Sequence, residues 1–415
     1  MHNSRNSSVL NQVASKYGTP LYVYSEQKIN EKIRLLKDHM HPAISWFYSL
    51  KANPNPSIVK VISNAGFNLE LCSPYELQVA QMVGLSSDRM LYLGPGKSVR
   101  EIEQAIKNKI KYFIVESLQE MLLVNKIAAK KRVVVSIGIR INPKTFVKGA
   151  RLQMGGKPRQ FGIDEEQLDK AMSLANELPN IVLDGIHSYH GTRILQADII
   201  ANNISYTLSL ADRLIKDYDL TLSYVDVGGG LGVAYFEGEK DLDIALLGAQ
   251  SHDIIEKFIE KHPKTQVLME TGRYLTADSG SYLTEVLYTK QSQGIDFAVL
   301  NGGTHHFGAS GTQGNLFMKA FPIKLVSNHL RKSSKEYHLT GPLCTPNDLI
   351  GKKVTLPSLK PGDIIEIQKA GAYGLTASPI LFLSHPLPRE ILIRENLDVV
   401  VIRNKAEYTF PIIKV

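Results

Sequence analysis

Lys51 has the surroundings of a reaction centre. It follows the apolar run Phe47-Tyr48-Ser49-Leu50, which reads as the end of a short buried strand, and Asn53-Pro54 stops that run just beyond it. Desolvation at an apolar strand end favours the free amine, the form that attacks carbonyls. The plain alternative is a lysine whose alkyl stem runs from the strand end out to water. The octapeptide alone does not separate the two, and the decision falls to the other reactive groups of the chain.

Gly228-Gly229-Gly230 follows the strand-like Val225-Asp226-Val227, and Thr271-Gly272-Arg273 follows the run that ends at Glu270. Glycines let backbone N–H groups close on an oxyanion, and Arg273 adds a charge there or serves a structural ion pair. Glu270 ends its run as a site carboxylate or as half of such a pair. His187-Ser188-Tyr189-His190-Gly191-Thr192 offers rings that can stack on a flat ligand and a hydroxyl for a phosphate; both histidines fit a core or rim position equally well. Arg140 and Glu70 end two further strand runs, as site residues or as ion pairs of a barrel floor. Cys344 stands in the turn Gly341-Pro342-Leu343-Cys344-Thr345-Pro346-Asn347-Asp348, poised as proton donor or nucleophile or else an inert packing thiol. Tyr373 stands on the glycine-flanked turn Ala370 to Gly374, able to bond phosphate or to pack in a core.

These groups need a common scaffold. Short β-rich runs lie at Ile44 to Leu50, Asn68 to Leu71, Met90 to Leu93, Tyr112 to Val115, Val133 to Ile141, Leu183 to Tyr189, Tyr224 to Val227 and Gln266 to Glu270, each followed by a helical pattern. That rhythm predicts an α/β TIM barrel over 26–278, with the candidate residues on its βα loops. Beyond Asp278 the runs become strands separated by turn residues, so 279–415 together with 1–25, which holds the strand Leu21 to Tyr24, is expected to form a C-terminal all-β barrel or sandwich domain. The segment Gly302 to Gly314 reads as a loop at a site or interface.

Composition narrows the class. The net charge of +8 suits an anionic partner such as an acidic carrier protein or a polycarboxylate, but no basic block exceeds Lys130-Lys131-Arg132, which argues against nucleic acid. Cys72 and Cys344 are too few for a disulfide framework or a cysteine metal cluster. The start of the chain is polar and Asn/Ser-rich without a signal-peptide pattern, and no apolar run reaches membrane-span length, so no membrane partner and a cytoplasmic setting are expected.

Tyr48-Ser49-Leu50-Lys51-Ala52-Asn53, Val227-Gly228-Gly229-Gly230, Glu270-Thr271-Gly272-Arg273, Gly341-Pro342-Leu343-Cys344 with Asp348, and Ala370-Gly371-Ala372-Tyr373 occur in this order. With them the chain resembles the fold-type III pyridoxal phosphate decarboxylases, the group of diaminopimelate, ornithine and arginine decarboxylases related to alanine racemase. The resemblance runs from Thr19 to Pro388. It implies that Lys51 carries pyridoxal 5′-phosphate and that Glu270 pairs with the ring nitrogen. It also implies that Gly230, Gly272, Arg273 and Tyr373 help hold the cofactor's phosphate; on the residue readings above, Gly228, Gly229 and Thr192 join them there, Glu70 orients Lys51, Arg140 reaches the ring's oxygen side, and Tyr189 holds the usual stacking position. It further implies a head-to-tail homodimer with shared sites, in which Cys344 and Asp348 reach the other subunit's site and Cys344 returns a proton to the α-carbon after CO₂ leaves. Thr345, Asp348 and His305 are expected at the substrate.

Departures from the family pattern bear on substrate. Tyr189 stands where a stacking histidine is usual, Thr345 replaces the acidic residue after the cysteine, and Thr304-His305-His306-Phe307 replaces an Asn-Asp-x-x-Arg-Pro run. These argue against diaminopimelate. Met154-Gly155-Gly156-Lys157-Pro158-Arg159-Gln160-Phe161-Gly162, Tyr189 and Gly341-Pro342-Leu343-Cys344-Thr345-Pro346 together resemble the branch that serves antibiotic and siderophore biosynthesis, which includes the butirosin-pathway decarboxylase of a glutamyl carrier protein and the staphyloferrin B decarboxylase. The expected reaction is loss of CO₂ from an L-amino-acid unit of a carrier-bound or siderophore-type intermediate. The rivals are a decarboxylase of diaminopimelate or another free amino acid, a racemase or epimerase on the same scaffold, and a non-catalytic regulator, whose usual mark, loss of the reactive lysine or cysteine, is absent.

Overall fold

Eight strand-then-helix units close the first sheet on itself. The computed structural model describes residues 2–144, 152–153, 158–310, 320–326, 331 and 333–406. Strands β1 (Ile44–Ser49), β2 (Asn68–Leu71), β3 (Met90–Tyr92), β4 (Tyr112–Val115), β5 (Val135–Asn142), β6 (Ile181–Ser188), β7 (Tyr224–Asp226) and β8 (Gln266–Thr271) are all parallel. Their order is β4-β3-β2-β1-β8-β7-β6-β5, and β4 also pairs with β5, which makes the TIM-type barrel. Its interior holds Phe47, Leu91, Tyr112, Ile114, Tyr224 and Leu268. Gly138 and Gly185 face the Tyr224 ring, where a Cβ on either would overlap it.

Three successive helices start by one device. Ser73, Ser98 and Ser117 cap the helices Pro74–Met82, Val99–Lys107 and Leu118–Lys131, each accepting the backbone N–H of a glutamate three residues on. Those glutamates then bind back to the chain before the helix. Glu76 accepts Cys72 N–H at 2.6 Å and Glu120 accepts Glu116 N–H at 2.8 Å, so the loops after β2 and β4 are tied to the rim.

By compactness the chain divides into Asn30–Ala234 with Lys240–Tyr274, and Met1–Ile29 with Tyr235–Glu239 and Leu275–Val415. The first unit holds the barrel strands. The second is built on a sheet in the order Leu349–Pro357, Ser334–Thr340, Ile295–Leu300, Gly280–Ser292, Leu21–Ser25, Arg389–Ile393 and Val399–Arg403, with Ile364–Ile367 pairing Gly280–Ser292 and Ile323–Leu325. Leu21–Ser25 lies in its middle, antiparallel to Gly280–Ser292 and parallel to Arg389–Ile393.

The polar, Asn/Ser-rich start of the chain, for which no element was expected, is a helix, His2–Tyr17. Leu10, Val13 and Ala14 sit at helical spacing and are buried with Leu21, Val23, Leu283, Val326, Ile364 and Ile391, while Tyr17 packs at the edge of that cluster. Among the described residues no helix is long and apolar enough to cross a membrane. Met154 to Lys157 and residues 311–314, singled out above, lie outside the described residues.

Candidate active site

Lys51 lies in a single turn, Leu50–Ala52, at the C-terminal end of β1. Tyr48 braces that turn by donating to Asn53 O at 2.9 Å, and Asn53 and Asn55 fold the following residues into the next helix. The amine meets a carboxylate rather than an apolar wall: Lys51 Nζ is 2.5 Å from Glu70 Oε1, with the lysine side chain 37% exposed and that of Glu70 fully buried. Charge pairing, not desolvation, is what its immediate surroundings supply. The same oxygen accepts the Cys72 thiol at 3.3 Å, and Glu70 Oε2 is buried without a partner among the described residues.

Glu270 is the penultimate residue of β8, level with Phe47 on the neighbouring β1. His187 Nε2 lies 3.1 Å from Glu270 Oε1. One polar atom each from His187, Asp226 and Glu270 fall within 4.8 Å of one another, and all three residues are buried. Burial opposes the Glu270 charge, but the hydrogen bond and charge of His187, with the positive charges of Lys51 and Arg140, outweigh it and hold the carboxyl down at about 2. Asp226 goes the other way, pushed up to about 7 by burial and then by repulsion from Glu270. Two buried carboxylates this close cannot both ionise cheaply, and the one with the imidazole partner keeps the charge.

The glycines bring the neighbouring loops against these groups. Gly228 (φ +71°) and Gly230 (φ +92°) hold left-handed backbone, and a Cβ on Gly228 would lie 2.5 Å from Ser188 O. Side chains on Gly229 or Gly230 would overlap Glu270 O and Gly191 O, and one on Gly272 would stand 2.9 Å from Ala52 Cβ and 3.1 Å from Ser49 O. The ends of β1, β6, β7 and β8 therefore touch backbone to backbone, with Lys51, Glu270, Gly229 and Gly272 on one rim. Arg273 opens the short helix Arg273–Thr276 directly beyond.

Arg140, at the end of β5, pairs with Glu116 through Nη1 at 3.2 Å to each carboxylate oxygen, and its guanidinium lies 4.7 Å from the Phe161 ring centre. The ion pair aims this residue, and its charge is felt at Glu270. The ring of Tyr189 packs beside Gly228, on the same rim. His190 turns inward instead, its Nε2 3.3 Å from Ser188 Oγ and 3.1 Å from Thr207 Oγ1, and burial pushes its pKa down to about 4. Thr192 is half-buried in a two-residue bridge to Leu152–Gln153.

The remaining candidates lie in the second unit. Asp348, expected at a substrate, is buried and bonded inside its own chain: Oδ1 accepts Thr304 N at 2.7 Å and Thr304 Oγ1 at 2.9 Å, and Oδ2 accepts Leu343 N at 2.8 Å. A carboxylate with three donors has little capacity left for a ligand. Its effect is to fix the turn that presents Cys344, a free and exposed thiol, with half-buried Thr345 next to it. His305, also expected at the substrate, is fully buried, its ring 3.7 Å from that of His306 and 4.9 Å from that of His385. Packing between two imidazoles, not exposure on the loop, decides its place. Tyr373 (φ 52°) is half-buried on a turn whose Gly371 abuts Thr276 O.

The features missed by sequence reading are Asp226, Glu116 and Cys72. Asp226 sits inside the Val225-Asp226-Val227 run, where an acid in an apolar strand was the available signal; Glu116 and Cys72 carry no local signal.

A parallel barrel with a lysine, a buried ionised glutamate and glycine loops on its C-terminal rim is the frame of a barrel enzyme that acts through a bound anionic cofactor. Residues 26–277 match the family model of pyridoxal-dependent decarboxylases, pyridoxal binding domain. Over 95% of this chain and 92% of the relative, it is 36% identical to the L-glutamyl-[BtrI acyl-carrier protein] decarboxylase of Niallia circulans. It is 27% identical, over 91% and 94% of the two chains, to the 2-[(L-alanin-3-ylcarbamoyl)methyl]-2-hydroxybutanedioate decarboxylase of Staphylococcus aureus. The crystal structure of diaminopimelate decarboxylase from Helicobacter pylori complexed with L-lysine superposes with a TM-score of 0.86 at 28% identity, covering 96% of each chain. The chain belongs to the pyridoxal-dependent decarboxylases.

Proposed function

We propose that this chain removes the α-carboxylate, as CO₂, from an L-amino-acid unit borne on a carrier protein or a siderophore-type intermediate, with pyridoxal phosphate as its cofactor. One observation carries the reading: Lys51, the ionised Glu270 and the loops of Gly229 and Gly272 converge on one barrel rim. The residues fit the cofactor. Lys51 would hold the aldehyde carbon, Glu270 the ring nitrogen, and Arg273 with the amides of the glycine loops the phosphate, joined by Thr192 and Tyr373. Arg140 and Tyr189 would flank the ring. When bound, the cofactor supplies an electron sink for the charge left by departing CO₂.

The chain's own groups do the rest. Glu70 accepts a hydrogen bond from Lys51 and directs the amine, and Glu270, kept ionised by His187, holds a proton on a facing basic nitrogen. The thiol of Cys344 from a second copy donates its proton to the α-carbon, which makes a homodimer with shared sites part of the proposal. The substrate class is supported by the two relatives whose names specify an amino-acid unit built into something larger. Tyr189, Thr345 and the Thr304 to Phe307 run, which depart from the diaminopimelate pattern, point the same way, and a net charge of +8 suits an acidic carrier.

The test is CO₂ release by the purified holoprotein from glutamyl carrier protein, from citryl-linked amino acids, and from free diaminopimelate, lysine and ornithine. Release from a linked substrate alone is the expected result. Release from a free amino acid alone would move the chain to the second reading, which the similarity to a lysine-complexed diaminopimelate decarboxylase favours. Exchange of the α-hydrogen without CO₂ would make it a racemase.

A further inference from the structure

Glu116, just beyond β4, draws together groups from two other loops of the rim and from β5. Its Oε1 accepts Gly94 N–H at 3.0 Å, from the loop after β3, and its Oε2 accepts Gly162 N–H at 3.2 Å, from the segment after β5. Both oxygens receive Arg140 Nη1, and the residue is only 4% exposed. The carboxylate is thus held by two backbone amides and one guanidinium, with no capacity directed outward. Glu120 ties it further by accepting Glu116 N–H, while Lys97, itself buried, lies 2.8 Å from Glu120 Oε1 and donates to Gly94 O at 2.6 Å. The result is a linked series Lys97, Glu120, Glu116, Arg140 in which two anions, joined through the Glu116 backbone N–H, lie between two cations. Arg140 is the end of that series whose charge reaches Glu270.

We propose that Glu116 is a positioning residue for the cofactor pocket: it fixes the guanidinium of Arg140 and the loops of Gly94 and Gly162 in one register, and so sets how tightly the rim holds pyridoxal phosphate. A buried arginine without its carboxylate would turn toward other acceptors, and Glu270 is the charged group within its field. The inference rests on the reading of the rim as a pyridoxal phosphate site, and the experiment keeps the two apart.

Wild type, E116Q, R140K and the double variant are stripped of cofactor and titrated with pyridoxal phosphate, followed by visible absorbance, with thermal denaturation of each apoprotein alongside. Wild-type protein that develops no absorbance sinks the cofactor reading before Glu116 is judged. Given wild-type binding, E116Q should weaken it by about tenfold, the loss expected when a charge-assisted hydrogen bond is removed. The effect should be largely absent when E116Q is added to R140K, because the two act as one unit. E116D, which keeps the charge, should recover part of the affinity. Unchanged binding in E116Q, or a lowered apoprotein melting point with unchanged binding, would overturn the proposal, as would effects that simply add in the double variant.

Discussion

The barrel rim and the turn around Cys344 treat their buried polar atoms in opposite ways. On the rim, Glu70 Oε2, His187 Nδ1, Asp226 Oδ2 and Thr271 Oγ1 are buried with no hydrogen-bond partner among the described residues. At the turn, the buried carboxylate of Asp348 meets three donors from two loops. A buried polar atom left without any partner costs about 1–3 kcal/mol, so these four atoms are hydrogen-bonding capacity that the rim can give to a bound polar group. A saturated carboxylate marks a surface built to keep its shape. The lesson is that buried acids in one chain divide by their unused capacity, not by their type.

The largest break in that comparison comes from K51A. It should abolish the visible cofactor absorbance and reduce CO₂ release to background, since Lys51 is the amine that Glu70 holds; retained absorbance would remove Lys51 from the centre of the site. C344A should leave the absorbance intact and slow amine formation by about a hundredfold or more, the usual weight of a positioned proton donor. An unaffected rate would leave the exposed thiol without a role.

Asp348 tests the other side. D348A strands Thr304 N–H, the Thr304 hydroxyl and Leu343 N–H, and should cost about 3 kcal/mol in denaturant unfolding. Because Gly303 and Gly341 both pack against its carboxylate, the turn that carries Cys344 should loosen as well. Faster labelling of Cys344 by a thiol reagent in the folded protein reads that loosening. A stability equal to wild type would show that the carboxylate is not the tie described.

Much of the rim was legible because its signals are local. The β-rich runs and their helical successors repeat with barrel rhythm, and glycines at the ends of β7 and β8 announce backbone that must come close to something. What escaped was set by distance in sequence. Glu116 meets Gly94, Arg140 and Gly162 only once the loops after β3 and β5 have closed on it, and no window around Glu116 records them. His190 and Tyr189 are neighbours with similar rings, yet one turns to Thr207 and the other lies beside Gly228. The surroundings of His305 and Asp348 were hidden for the same reason, as loop position says nothing about what packs over a loop. The first helix was missed because its Asn- and Ser-rich half hid the spacing of Leu10, Val13, Ala14 and Tyr17.

The smallest effects give the sharpest comparison, because one bare group from each unit drives stability with pH in opposite directions. Asp226 is raised from 3.8 to about 7, by burial first and then by Glu270. Across that interval the unfolded chain releases a proton that the folded state retains, so its stabilising contribution is whole near pH 4 and is lost as pH rises to about 7. His305 is lowered from 6.5 to about 3, by burial and then by His306 and His385. There the unfolded chain takes up a proton that the folded state refuses, so stability is whole above 6.5 and is lost as pH falls toward 3. Each group can contribute a slope of at most about 1.4 kcal/mol per pH unit. Other groups titrate in the same range, so the quantity to measure is the difference between each variant and wild type in the unfolding of the apoprotein. D226N should gain relative to wild type as pH rises from 4 to 7. H305F, which keeps a ring between the other two imidazoles, should gain as pH falls from 6.5 to 4. Difference curves that are flat, or that share one sign, would mean that these two bare groups do not carry the charges that their surroundings dictate.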